Sequence, residues 1–358
     1  MATQGGRSEM QLLDDSRMKA YLSDKLGAES LSLNSVWKNL EGWSMETYSL
    51  GLSYRQKGRP VERDLVLRKA PDAGLMADNY DVSVEYRVLT ALGQTEVAVP
   101  KTLWYEPDPE ILGQPFYVME KVEGTIPFPP PISSDPEFRL IPDDEERQSL
   151  AEDFVRNLAL IHTADWRSLG LDFLGVPEPG TGCALMQVEY WEDRIARAGF
   201  GKKPLVAYAA NWLKKNLVES DRICLAHGDY RSGNYIQRKG RIVAILDWEL
   251  VHLGDPLDDI AYILGPWRSA PPHNWVSHLL PEEDFLARYE DASGIKVDPQ
   301  KLQFYHMLNK FKAIGIGYTA AGAWKARHDL DLRIGVFSMT HYLSNLALIS
   351  ELYKHHSG

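Results

Sequence analysis

Cysteine is scarce in this sequence: Cys183 and Cys224 are the only two in 358 residues, and no CxxC spacing occurs. A disulfide scaffold or a thiolate zinc site needs more, and this usage fits a reducing compartment. Long apolar runs are missing too. No window approaches the roughly 18 apolar residues of a membrane span. The opening MATQGGRSEMQLLDD lacks the charged-then-apolar pattern of a leader. Positive charge is outweighed, with 39 Lys and Arg against 50 Asp and Glu and a formal net charge of −11. Nucleic-acid and anionic-membrane binders need a basic face, so neither partner is expected. Internal repeats and low-complexity tracts are absent. What is there has an ordinary composition, 44% hydrophobic and 25% charged, and enough length for two domains. A cytoplasmic globular protein, monomer or homodimer, is expected.

The first 122 residues alternate between strand and helix signals. DSRMKAYLSDKL reads as a short helix capped by Asp15 or Ser16. NSVWKNL, METYSLGLSYR and RDLVLRKA read as strands of a meander, with EGWS and QKGRP in the turns. In ADNYDVSVEYRVLTALG the spacing of Val84, Val88 and Leu92 predicts a helix stopped by Gly93. KTLWYEP and PFYVMEKV complete a set of five strands, joined by the turn residues of DPEILGQ.

VEGTIPFPPPISSDPE is a proline- and glycine-rich connector. Beyond it helices dominate, from EERQSLAEDFVRNLALIHTAD to PQKLQFYHMLNKFKAIGIGYTAAGAW and RIGVFSMTHYLSNLALISELYKH. Short strands around residues 225–264 interrupt them. The expected architecture is α+β in two domains: residues 1–122 as a small antiparallel-sheet lobe and 123–358 as a larger, mainly helical one.

Within that interruption, HGDYRSGN sets Asp229 five residues before Asn234, and Asp247 follows thirteen residues later at the end of IVAILD. Asp and Asn are poor strand formers, and a buried carboxylate is costly without a cation. Mg²⁺ would repay the placement, because it takes one or two protein oxygens together with phosphate oxygens. Asn234 and Asp247 are its candidate ligands. Asp229, early in a turn, can orient a hydroxyl. Asp-x-x-x-x-Asn followed by an Asp on the next strand is a phosphoryl-transfer arrangement.

HGDYRSGN, ILDWE and GDPLDDIAY resemble the signature of the aminoglycoside phosphotransferase and choline kinase-like superfamily. VPKTLWYEPDPEILGQPFYVMEKVEG is similar to the subgroup of kinase-like domains found with acyl-CoA dehydrogenases. The resemblance covers almost the whole chain. It implies a bilobal protein-kinase-like fold, with the first lobe binding nucleotide and the second holding catalysis and acceptor. It also implies transfer of the γ-phosphate of ATP or GTP, with Mg²⁺, to a hydroxyl of a small molecule. Asp229 would act on the acceptor hydroxyl and His227 would brace its loop.

Ser44, Met45 and Glu46, in a turn with one glycine, would cover the phosphates. Arg68 stands by register where lysine is usual, with Lys69 as the alternate and Glu85 as acidic partner. Met119, Glu120 and Val122 would hold the adenine edge. Asp255 and Asp259 read as capping and bracing residues, and Glu249 as close to the acceptor. Trp191, Glu192, Asp193, Trp267, Tyr318, Trp324 and Asp331 could surround a cationic acceptor or simply belong to a helical lobe. The subgroup points to a hydroxylated small molecule such as a hydroxyacyl thioester. A silent nucleotide-binding module is the alternative; a protein kinase is disfavoured because no DFG or APE segment occurs.

Overall fold

The computed structural model describes residues 15–39, 45–71, 81–128, 138–265, 268–269 and 273–326, with short pieces at 335–336, 338–339, 347–350 and 352. The chain divides into two compact units, residues 1–90 with 100–121 and residues 91–99 with 122–358.

The first unit is a five-stranded antiparallel sheet of order β1-β2-β3-β5-β4. Its strands are β1 (Ser30–Asn39), β2 (Glu46–Gln56), β3 (Arg59–Lys69), β4 (Thr102–Glu106) and β5 (Phe116–Glu120). The turn between β2 and β3 is tighter than QKGRP suggested. Gln56 pairs with Arg59, and Lys57 and Gly58 occupy positive φ at 51° and 73°. A two-residue hairpin demands that geometry of both central residues. Helix α1 (Asp15–Leu26) buries Met18 and Leu22 against Leu50, Leu52, Leu65, Leu67 and Val118 of the sheet.

Helix α2 (Val82–Leu92) is capped by Asp81, whose Oδ1 accepts from the Ser83 N–H at 2.9 Å. The DPEILGQ turn holds one helical turn, α3 (Pro109–Leu112). Asp108 caps the Glu110 N–H, Pro109 sits at the first position and Gly113 closes in the left-handed region, a full set of start and stop signals.

The second unit is mainly helical. It contains α4 (Asp144–Thr163), α5 (Gly182–Arg197), α6 (Pro204–Lys215), α7 (Pro256–Ile263), α8 (Glu282–Ser293) and α9 (Pro299–Ala326). Asp143 caps α4 through the Glu146 N–H, and the expected stripe of Leu150, Phe154, Leu158 and Ile161 is buried. Four short strands lie among the helices: β6 (Cys224–Ala226) pairs with β9 (His252–Gly254), and β7 (Tyr235–Arg238) with β8 (Arg241–Ile245). Residues 91–99 join this unit through Ala98, which donates to Asn157 Oδ1 and accepts from the Ile245 N–H. The expected helix over 333–355 lies mostly outside the described residues. Among the described residues, no helix is long and apolar enough to cross a membrane.

Candidate active site

The loop between β6 and β7 is a closed system of hydrogen bonds. His227 is fully buried, and its ring lies 4.5 Å from that of Trp248. Its Nδ1 accepts from the Asp229 N–H at 3.1 Å, which leaves Nε2 to donate to the Leu246 carbonyl at 2.9 Å. Both ring nitrogens are therefore used by a neutral imidazole. Burial pushes the His227 pKa down against the pull of Asp259 and Asp229. A ring committed in this way braces the loop and is in no position to act as a base.

Asp229 receives two donors. Arg231 Nε approaches Oδ1 at 3.0 Å and Asn234 Nδ2 approaches Oδ2 at 2.6 Å. A carboxylate has about four acceptor positions, so capacity remains for a substrate hydroxyl. Asn234 also donates to the Asp229 carbonyl at 2.8 Å, and its own carbonyl accepts from the Leu246 N–H. The next residue is Asp247, in the left-handed region at φ 66° and ψ 59°. A non-glycine residue held there is strained. The β7–β8 pairing, Tyr235 opposite Ile245, brings Asn234 and Asp247 to neighbouring strand ends. Three of the sequence-derived residues thus stand on one loop and one hairpin end.

Beneath the loop lies Asp259, with no exposure. It accepts from the N–H groups of His227 and Gly228 at 2.7 and 2.8 Å and contacts His162 Nε2 at 3.1 Å. Tyr289 Oη lies 2.7 Å from His162 Nδ1. Burial pushes the Asp259 carboxyl up, but His162 and the loop amides outweigh it and hold the group well below the usual carboxylate range. Asp255 caps α7 through the Leu257 N–H at 2.8 Å. His162, Arg231, Tyr289 and Lys312 were not singled out from the sequence. Arg231 had a signal, two residues beyond Asp229; the others come from distant helices and had none.

In the first unit, Arg68 Nε lies 3.1 Å from Glu85 Oε2, and Glu85 is 3% exposed. Lys69 goes instead to Glu46, at 2.8 Å, its partner across the β2–β3 ladder. Glu46 also binds Lys38 at 2.6 Å. Partial burial raises the Glu46 carboxyl, and bonds from Lys38 and Lys69 bring it below its usual value. Met45 is buried just before β2; Ser44 lies outside the described residues. Met119 is buried opposite Val66. The Glu120 N–H donates to the Lys101 carbonyl and its side chain binds Arg63 and Lys101. The Glu120 N–H is thus committed within the sheet, which removes it from the adenine edge. Val122 follows, half-buried, at the start of the second unit.

Among the described residues considered for a cationic acceptor, the acids are paired with surface cations and the tryptophans are packed into the helical unit. Trp191 is 1% exposed, packed so closely on α9 that a Cβ at Gly315 would meet its ring at 2.5 Å. Glu192 pairs with Lys214 and Asp193 with Arg197. Tyr318 is buried beside Phe200, Trp324 is half-buried, and Glu249 is half-buried in a single 3-10 turn. Trp267 and Asp331 lie outside the described residues.

A family model described as the phosphotransferase enzyme family matches residues 38–305. Acyl-CoA dehydrogenase family member 11 of Rattus norvegicus is 32% identical over 318 residues, covering 84% of this chain. The match spans 38% of that relative's length. Among solved structures, a Ralstonia eutropha JMP134 protein assigned as an aminoglycoside phosphotransferase superposes with a TM-score of 0.70 at 23% identity, covering 95% of this chain and 98% of that one. A thermostable mutant of aminoglycoside phosphotransferase APH(4)-Ia, in ternary complex with AMP-PNP and hygromycin B, gives 0.52 at 16% identity, covering 93% and 98%. The fold is bilobal, α+β and protein-kinase-like.

Proposed function

The chain belongs to the phosphotransferase enzyme family, and from that premise we propose that it moves the γ-phosphate of ATP or GTP to a hydroxyl of a small molecule. The observation that carries this reading is the Asp229–Asn234 pair. One side-chain amide binds both the carboxylate and the carbonyl of Asp229, while the Asn234 carbonyl ties the loop to the residue before Asp247. In this reading residues 1–122 serve the nucleotide and 123–358 serve catalysis and the acceptor.

Asp229 takes the hydroxyl proton and aligns the oxygen. Arg231 and Asn234 hold its carboxylate for that task, and His227 holds the backbone behind it. Asn234 Nδ2 is committed to Asp229, so its Oδ1 is the atom that would hold a cation. Asp247 adds a carboxylate oxygen. Two hard oxygens suit Mg²⁺ completed by phosphate oxygens and water. Among the described residues no cluster of three or more His, Cys, Asp or Glu could hold a metal by itself. When bound, the ion would neutralise phosphate charge. Arg68, oriented by Glu85, would contact the phosphates, with Met45 and Glu46 nearby in sequence to their covering turn. The Glu120 carbonyl, the Val122 N–H and Met119 would receive the base. Proximity and charge placement would then supply most of the acceleration.

The test is Mg²⁺-dependent consumption of ATP and GTP by the wild-type chain and by Asp229→Asn. The acceptor panel holds aminoglycosides, choline and ethanolamine, homoserine, simple sugars and hydroxyacyl-CoAs; the name of the rat relative justifies the last. Turnover with one acceptor that drops ~10²-fold or more in the variant establishes the reading. Nucleotide binding without turnover on any acceptor would favour a silent binding module. An absence of nucleotide binding would sink both.

A further inference from the structure

Lys312, in the middle of α9, is 3% exposed and has no task in the reading above. Its Nζ donates to the Gly228 carbonyl and stands 4.6 Å over the Tyr262 ring. One turn earlier, Asn309 Nδ2 donates to the Asp258 carbonyl at 3.1 Å, fixing α9 to the start of α7.

The Gly228 carbonyl and the Asp229 N–H are the two ends of one rigid peptide plane. Lys312 holds the oxygen end, and His227 Nδ1 accepts from the nitrogen end at 3.1 Å. The preceding N–H, that of Gly228, is held by Asp259 Oδ1 at 2.8 Å. Gly228 itself sits at φ +83°, and an added Cβ would lie 2.4 Å from the Leu250 carbonyl oxygen. Only glycine fits, and glycine's torsions are the loosest in the chain. The site therefore needs an external clamp on the peptide that presents its carboxylate.

We propose that Lys312 is a positioning residue for Asp229, reaching from α9 to fix the Gly228–Asp229 peptide. The role rests on reading Asp229 as the catalytic carboxylate, and it acts through the backbone without touching the acceptor.

The experiment compares the full wild-type chain with Lys312→Met and Lys312→Arg. Three quantities are measured: amide hydrogen exchange at Gly228 and Asp229, binding of Mg-ATP, and phosphotransfer to the acceptor found above. In Lys312→Met the two amides should exchange about tenfold or more faster, because a hydrogen bond from a charged group is lost. The kcat should fall about tenfold or more with the KM for Mg-ATP unchanged, as expected for misplacement without lost nucleotide contacts. Lys312→Arg should return both toward wild type. If the methionine variant does not fold, Lys312→Ala with methylammonium replaces it, and the two amides should slow as methylammonium is added against a sodium chloride control.

Unchanged exchange at Gly228 and Asp229 overturns the proposal. So does faster exchange spread evenly over α7 and α9 and not reversed by arginine, which is the mark of a packing residue. A wild-type chain that fails to bind Mg-ATP refutes the phosphotransferase reading, while the exchange data still decide whether Lys312 clamps the loop.

Discussion

Replacing Asp259 by asparagine keeps its shape and removes its charge. Three donors converge on this carboxylate, the N–H groups of His227 and Gly228 and the His162 ring, at 2.7, 2.8 and 3.1 Å. Bonds to a charged acceptor are worth about 1.5–3 kcal/mol each. Oδ2 takes the His227 N–H and the His162 ring and Oδ1 takes the Gly228 N–H. An asparagine that keeps its oxygen at the Oδ2 position therefore turns its NH₂ against the Gly228 N–H, and that contact fails in a site with no exposure. Losing one bond to a charged acceptor and leaving a buried N–H unpaired costs about 2–4 kcal/mol, and that is the expected loss. Urea unfolding followed by far-UV circular dichroism and tryptophan fluorescence measures it, Trp248 lying against the His227 ring. Asp247→Asn is the control, a nearby carboxylate that we propose for a cation. A loss below about 1 kcal/mol in Asp259→Asn would refute the view that this carboxylate organises the loop.

The other predictions concern pH, the first unit and one glycine. His227 and His278 both have pKa values depressed by burial, so the unfolded chain binds their protons more readily. Stability should rise with pH through the window ending near ~6.5 and fall below it, by up to ~1.4 kcal/mol per pH unit for each ring. Thermal melts between pH 7.5 and 5.5 would show the slope, and His227→Gln should flatten it; an unchanged slope contradicts the assignment. Arg68→Met strands the buried Glu85 and should cost ~3 kcal/mol together with Mg-ATP affinity. Arg68→Met/Glu85→Met should recover stability without nucleotide binding, and recovery of both would remove Arg68 from the phosphate site. Gly228→Ala meets the Leu250 carbonyl at 2.4 Å from a positive φ, so more than ~2 kcal/mol should be lost in urea titration.

Local signals carried much of the architecture because each element announces itself within a few residues. The meander, the internal helix with its Val84–Val88–Leu92 spacing and the stripe of α4 all follow from periodicity that any neighbour would read alike. Where the reading fell short, the competing signal was also local. Asp108, Pro109 and Gly113 spell a helical turn inside DPEILGQ, and Lys57–Gly58 spell a hairpin tighter than QKGRP. The spacing of Asp229, Asn234 and Asp247 was legible because one loop and one hairpin set their separation.

Partnership was not legible in that way. Strand register offered Arg68 with Lys69 as its alternate. The family resemblance named Glu85 as the acidic partner, and the packing of α2, with Glu85 buried, gave it to Arg68 and left Lys69 to Glu46. The acids and tryptophans of the helical unit could have met around a ligand; close packing of α5 on α9 sent Trp191 into the core and surface lysine and arginine took Glu192 and Asp193. The sequence by itself determined that Asp229, Asn234 and Asp247 would stand on one loop and one hairpin end, because that depends on residue type and short spacing. Tertiary structure alone decided what holds them still. His162, Tyr289 behind it and Lys312 come from helices 62 to 85 residues away from His227 along the chain, and only burial, which makes every unpaired charge or amide costly, selects those partners.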